Sequence, residues 1–147
     1  MGEFILGIIN AYGYAGIFLV AFLASTILPG SSEAALAAGL LSGLDAWTLV
    51  SWASAGNCLA CLLNYGLGYF LADRTRSRIE ASSGGRRALA WATRYGPWSL
   101  IASWLPIIGD PLTIVAGYLR FSLGLFVPLV FGLRIGRYIV LLGLFGS

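Results

Sequence analysis

Three apolar stretches constrain this chain more than any other feature. They cover 4–28, 46–72 and a broken run that begins near Tyr95, and each reaches the ~20 residues that carry a helix across a bilayer. A soluble domain must clothe its outside in polar groups, and about a quarter of its residues are usually charged. Of these 147 residues only 10% are charged, while 59% are hydrophobic. What remains is a single-domain, polytopic membrane protein.

The net charge of +3 says less than where the charges sit. All nine basic residues are Arg, and six of them (Arg74, Arg76, Arg78, Arg86, Arg87, Arg94) lie in the segment 73–94 between apolar blocks. Ser82-Ser83-Gly84-Gly85 in the same segment suits a loop, and Arg-rich loops stay on the cytoplasmic side. A nucleic-acid partner would need a basic folded face set with aromatics, and none is expected here. The chain has no His and no tight cluster of ligands, so neither a metal nor another cofactor is expected. Cys58 and Cys61 form a C-x-x-C, yet they sit in an apolar run away from any surface that would activate a thiol. They read as small packed residues. With no nucleophile–base pair either, an enzyme is not expected. Glu3 and the missing basic start do not match a cleaved signal peptide.

The apolar blocks are punctuated twice in the same order. Block one breaks at Pro29-Gly30-Ser31-Ser32-Glu33, and the piece 34–41 that follows is too short to span. It ends in the turn-like Ser42-Gly43-Leu44-Asp45. Block three breaks between Pro106 and Pro111, and again near 120–124. Leu28-Pro29 precedes Glu33 as Leu105-Pro106 precedes Asp110, with the acid four residues after the Pro each time. Ala38-Gly39 and Ala116-Gly117 follow, then Trp47 and Phe126, then a spanning piece. Two halves with matching breaks are the mark of a transporter built from repeats.

Proline removes a backbone donor and clashes with the preceding turn. Irregular backbone at membrane depth survives only where protein or a water-filled cavity satisfies it. These rules predict an all-α integral membrane protein, an inverted repeat of two re-entrant helical hairpins each followed by a transmembrane helix. The first hairpin covers about 16–44 with its tip at Pro29 and Gly30, and a transmembrane helix covers 46–72. The basic loop 73–94 is cytoplasmic. The second hairpin covers 96–119 with its tip at Pro106, Gly109 and Pro111, and the last transmembrane helix covers 123–145. A cytoplasmic basic loop makes the first hairpin dip from outside and the second from inside. A plain bundle of Pro-kinked spans is the alternative, and the arms 34–41 and 111–119 are too short for it.

Ionisable side chains at membrane depth mark functional sites by default. Glu33 and Asp110 are the sharpest candidates, as proton gates. Arg134 and Arg137 lie midway along 123–145, three apart and so on one helical face. They are the expected counter-charges, meeting one acid or both. Locking the hairpin tips is the purely structural reading of the same pairs. Asn57 and Asn64, seven apart, share a face of the 46–72 helix and are candidates for lining a cavity. Arg120 is a candidate phosphate ligand or interfacial anchor. The five Trp suit an aromatic belt.

These residues resemble a known family. Gly13-Tyr14-x-Gly16 followed by Leu28-Pro29-Gly30-x-x-Glu33 is similar to the first block of the DedA (VTT, or SNARE-associated) membrane proteins. Arg94-Tyr95-Gly96, Leu105-Pro106, Ala116-Gly117, Arg120-Phe121 and Gly132-x-x-x-Gly136 resemble the second, and both Leu-Pro versions look closest to the YqaA-like branch. The resemblance implies facing re-entrant hairpins in a bacterial or archaeal cytoplasmic membrane, and movement of lipid between leaflets. It also implies coupling to protons. The better-known pattern has the acid directly after Pro-Gly and Arg on both sides of the second Pro. Here two serines precede Glu33, and Ser103 and Gly109 stand in the Arg places, so a polyprenyl phosphate would lack those ligands.

The expected function is therefore a lipid flippase or scramblase for a phospholipid or polyprenyl-phosphate head group. The head group would pass a polar crevice between the hairpin tips, with Arg134 and Arg137 as transient phosphate ligands. Membrane lipids and protons are the expected partners, and the chain is compatible with a homo-oligomer. The rivals are a proton-coupled small-solute carrier, which needs a pocket closed to lipid, and a non-transporting membrane scaffold or assembly factor, which needs tight pairing of all buried charges.

Overall fold

The computed structural model describes residues 2–26, 31–105 and 108–145, and every regular element among them is helical. In chain order these are α1 (Gly2–Tyr12), α2 (Tyr14–Thr26), α3 (Ser31–Leu41), α4 (Ala46–Phe70), α5 (Ala72–Ala81), α6 (Ser83–Tyr95), a 3₁₀ helix (Gly96–Trp104), α7 (Gly109–Tyr118) and α8 (Leu123–Phe145). Two of them, α4 with 25 residues and α8 with 23, are long and apolar enough to cross a membrane.

Local chemistry sets the ends of these helices. Asp45 caps α4: its carboxylate accepts from the Thr48 amide at 2.9 Å and the Thr48 hydroxyl at 2.7 Å. Hydrogen bonding to the charged form, first from the Thr48 backbone and then from its hydroxyl, holds the Asp45 carboxyl below its ordinary value. A depressed folded value means the cap is intact above the unfolded value of 3.8 and fails as pH falls through the folded one. Protection of the Thr48 amide, taken relative to its intrinsic exchange rate, should accordingly weaken below about pH 4, and Asp45→Asn should remove that pH dependence. The amide of Asp45 itself donates to the Tyr14 hydroxyl at 3.1 Å, tying the start of α2 to the start of α4.

The internal repeat is sharper in three dimensions than in sequence. Glu33 and Asp110, Gly43 and Arg120, and the first residues of α4 and α8 all recur at one spacing of 77 (33 to 110, 43 to 120, 46 to 123). The turns after α3 and α7 carry the same hydrogen bonds. Gly43 N donates to Leu40 O and Leu44 N to Gly39 O; Arg120 N donates to Gly117 O and Phe121 N to Ala116 O. Each is a Schellman ending, whose left-handed residue reverses the chain. The Ala-Gly pairs of the sequence motif are thus one position out of register with the fold. Asp45 and Ser122, also in register, precede α4 and α8, and their carbonyls accept from Leu49 and Phe126.

Three segments depart from expectation. Block one is two helices rather than one run, because Gly13 takes φ 59° and ends α1. The segment expected as a basic loop, 73–94, is helical: α5 and α6 are separated by Ser82, whose hydroxyl caps α6 by accepting from Gly85 N at 3.0 Å. Ile79, Ala88 and Ala92 from that pair are buried, so an apolar stripe holds the segment in place while the Arg side chains stay outside. The first arm of the second hairpin is a nine-residue 3₁₀ helix, longer than such helices usually run.

The residues form two compact units, 1–60 with 134–147, and 61–133; α4 and α8 each contribute to both. The first unit is cored by Ile9 of α1, Ile17 and Ala21 of α2, Leu36 of α3, Leu49 of α4 and Tyr138 of α8. There a Cβ on Gly56 of α4 would collide with the Phe18 carbonyl oxygen, so glycine sets the approach of α2. In the second unit α7 packs on α5, α6 and the 3₁₀ helix, and Tyr65, Ala116, Phe126 and Val130 form part of its core. Gly68 of α4 faces the Ile114 carbonyl oxygen and Gly117 of α7 faces that of Tyr65.

Candidate functional site

The first unit holds a chain of polar side chains on α3, α4 and α8, which are predominantly apolar. Arg134, Arg137 and Tyr138 lie on one face of α8, three and four residues apart, and all three are buried. Arg137 Nη1 lies 3.4 Å from Glu33 Oε1. Glu33 sits in the first turn of α3, where the helix dipole favours a carboxylate. Its side chain remains 28% exposed, against 8% for Arg137.

One turn earlier on α8, Arg134 Nη1 donates to Asn57 Oδ1 at 3.0 Å, and Asn57 Nδ2 donates to the Tyr138 hydroxyl at 3.0 Å. The Arg137 guanidinium also lies 5.6 Å from the Tyr138 ring centre. Burying a guanidinium is tolerable only when it is paired and hydrogen-bonded. The structure meets that condition in part: an acid from α3 and an amide from α4 partner the Nη1 atoms, while the buried Nε atoms of both arginines make no hydrogen bond among the described residues. Asn57 and Arg134 are themselves equivalent positions of the repeat, 77 apart.

The second unit carries the other acid. Asp110 stands in the first turn of α7, and its carbonyl accepts from the Thr113 hydroxyl at 2.6 Å. Asn64 Nδ2 donates to the same hydroxyl at 3.3 Å. Asn57 and Asn64 are therefore both buried inter-helix links. The sequence reading missed Tyr138 and Thr113, although their spacing from Arg134 and Asp110 puts each on the same helical face as the charged residue.

Of the expected tip residues, Pro29, Gly30 and Pro106 lie outside the described residues. Gly109 and Pro111 are not in a break: both belong to α7, where proline in a first turn gives up an amide that would have no helical partner. Cys58 and Cys61 are buried thiols with no disulfide.

Arg120 follows α7 at φ 57°. The matching place after α3 is Gly43, at φ 78°. Side chains other than glycine pay about 1 kcal/mol to stand there. The guanidinium lies 4.8 Å from the centre of the Tyr69 ring, and the Tyr65 hydroxyl donates to the Phe121 carbonyl next door. Beside them is a groove of about 550 Å³, walled by Leu62, Tyr65, Gly66, Tyr69 and Phe70 of α4 and by Phe121.

The VTT domain family matches residues 28–145, from before α3 to the end of α8. The chain is 42% identical over 129 residues to the inner membrane protein YqaA of Escherichia coli K12, covering 87% of this chain and 85% of the relative. It is 34% identical over 133 residues to an uncharacterized protein of Haemophilus influenzae, covering 85% and 82%. An uncharacterized protein of the archaeon Methanocaldococcus jannaschii is 30% identical over 141 residues, covering 92% and 86%. No solved structure matches. With a family match across both halves of the repeat, and a relative of this identity named for the inner membrane, the chain belongs to the VTT (DedA) family of membrane proteins, in its YqaA-like branch.

Proposed function

We propose that the protein moves a lipid head group between leaflets, as a flippase or scramblase. Glu33 and Asp110 act as protonatable gates, and Arg134 and Arg137 are their counter-charges and transient phosphate ligands. The observation that carries this reading is the pair of buried guanidiniums in α8, a helix apolar enough to cross the membrane, with one of them held by an acid that is only partly buried. Ionisable groups at that depth are costly and mark pathways. An acid poised between a buried Arg and water can release that Arg when it takes up a proton.

The reading includes two re-entrant hairpins of opposite sense, with the Arg-rich α5–α6 segment on the cytoplasmic side by the positive-inside rule.

The test is head-group translocation in proteoliposomes, with fluorescent glycerophospholipid and a polyprenyl phosphate supplied separately, with and without a pH gradient. Wild type should move one of them above empty vesicles, and Glu33→Gln or Asp110→Asn should slow it by about a hundred-fold, the lower end of what a lost acid–base group costs. Unchanged movement in both variants would show the acids to be structural. A second reading, a non-transporting membrane scaffold, draws on one observation: Arg134, Asn57 and Tyr138 hydrogen-bond among themselves. No movement of either lipid would favour it.

A further inference from the structure

We infer that the groove between the C-terminal half of α4 and the start of α8 is a docking site for an anionic glycerophospholipid, with its phosphate on Arg120 and an acyl chain against Leu62, Gly66 and Tyr69. This deepens the lipid reading above by naming a head-group class and a place of entry, but binding here and movement between leaflets are measured separately.

The first argument comes from the repeat itself. The turn after α3 uses glycine at its left-handed position, Gly43, whereas the same turn after α7 holds Arg120 at φ 57° with the same hydrogen bonds around it. The backbone at that place favours glycine, and the one contact the arginine side chain makes for the fold, on the Tyr69 ring, does no more than offset that cost. A strained residue retained against the local preference points to a use for its side chain.

The second argument is charge complementarity. Arg120 is exposed and rests on the Tyr69 ring, 4.8 Å from its centre. A guanidinium stacked on a ring keeps its in-plane N–H fork for a phosphate. Tyr69 also walls the groove, so the cation stands at the rim of an apolar trough. Its volume of about 550 Å³ falls within the ~300–1,000 Å³ of small-molecule sites. Phe70 and Leu123 flank it and are exposed.

The third argument is position. The groove lies at the end of α4 and the start of α8, the two helices able to span, and so at a membrane interface. It immediately precedes α5, with its exposed Arg74, Arg76 and Arg78. If that segment is cytoplasmic, the groove opens on the leaflet that carries anionic lipid, and each exposed Arg adds to the attraction.

The full chain, purified in mild detergent, would be studied by native mass spectrometry with phosphatidylglycerol, phosphatidylcholine and a polyprenyl phosphate offered in turn. Wild type should retain phosphatidylglycerol preferentially. Arg120→Gly should lower that retention about five-fold, the worth of one basic residue near a membrane surface, while melting at or above the wild-type temperature because the strain is relieved. A Cβ at Gly66 meets nothing within 4 Å, so Gly66→Leu should fill the trough, keep the fold and reduce retention of both glycerophospholipids.

The site is overturned if Arg120→Gly holds phosphatidylglycerol as wild type does, or if it loses the lipid only together with a lower melting temperature. Equal retention of phosphatidylcholine by wild type, or retention of the polyprenyl phosphate instead, overturns the head-group class. Loss of binding with translocation intact would remove this site alone. Binding without translocation would leave the site standing and remove the transport reading.

Discussion

Glu33→Gln should destabilise the protein by about 3 kcal/mol, the lower end of what breaking a buried ion pair costs, and by more than Arg137→Gln does. The asymmetry follows from exposure and chemistry. Arg137 is almost fully enclosed and cannot shed its proton, so removing the acid strands a charge beside α8. Removing the arginine leaves a carboxylate that is 28% exposed and so far less enclosed than the guanidinium. The double variant Glu33→Gln/Arg137→Gln should recover most of the loss, because a neutral pair leaves no buried charge. Thermal unfolding in one detergent, read by circular dichroism, orders the three variants. If Glu33→Gln melts with wild type, the 3.4 Å contact is not an energetic pair.

Gly68→Ala should cost about 3 kcal/mol, at the upper end of ordinary overpacking, and Gly66→Ala on the same helix should cost nothing. A methyl at Gly68 would meet the Ile114 carbonyl oxygen and lie 2.8 Å from the Tyr118 amide nitrogen; both are backbone atoms of α7 that cannot swing aside. Gly117 faces the Tyr65 carbonyl in the reciprocal direction, so Gly117→Ala should behave like Gly68→Ala. At Gly66 the added methyl finds open space, and alanine's helix preference over glycine is worth up to about 1 kcal/mol. Melting the variants side by side separates contact from propensity. A normal melting temperature for Gly68→Ala would mean that α4 and α7 are not packed as closely as the structure has them.

Family membership, two helices long and apolar enough to span, and the acid–turn–long-helix order were legible in the sequence because each depends on one-dimensional quantities. Apolar length, missing charge and the placement of Pro, Gly and Asp do not need a partner to be read. The pairing of Glu33 with Arg137 was legible in part: two arginines three apart in an apolar run share one helical face, and such a face is expected to turn inward and meet an acid. Helicity in 73–94 was hidden because Ser and Gly dominated its middle. The stripe of Ile79, Ala88 and Ala92 that makes it helical pays off only against neighbours.

What only the tertiary structure decided are matters of contact. The Leu-Pro pairs and the acids already stand 77 apart in sequence, but only hydrogen bonding in the two turns carried that spacing on to Gly43 and Arg120 and exposed the Ala-Gly match as one position out. Asn57 and Asn64 look alike on one helix face, yet one is held by Arg134 and Tyr138 and the other by Thr113, and no spacing along the chain distinguishes them. Gly66 and Gly68 are likewise indistinguishable as letters, and only the backbone of α7 tells them apart. A sequence records what each residue can do alone, whereas the partner that a buried polar group or a glycine meets is set by the path of the rest of the chain.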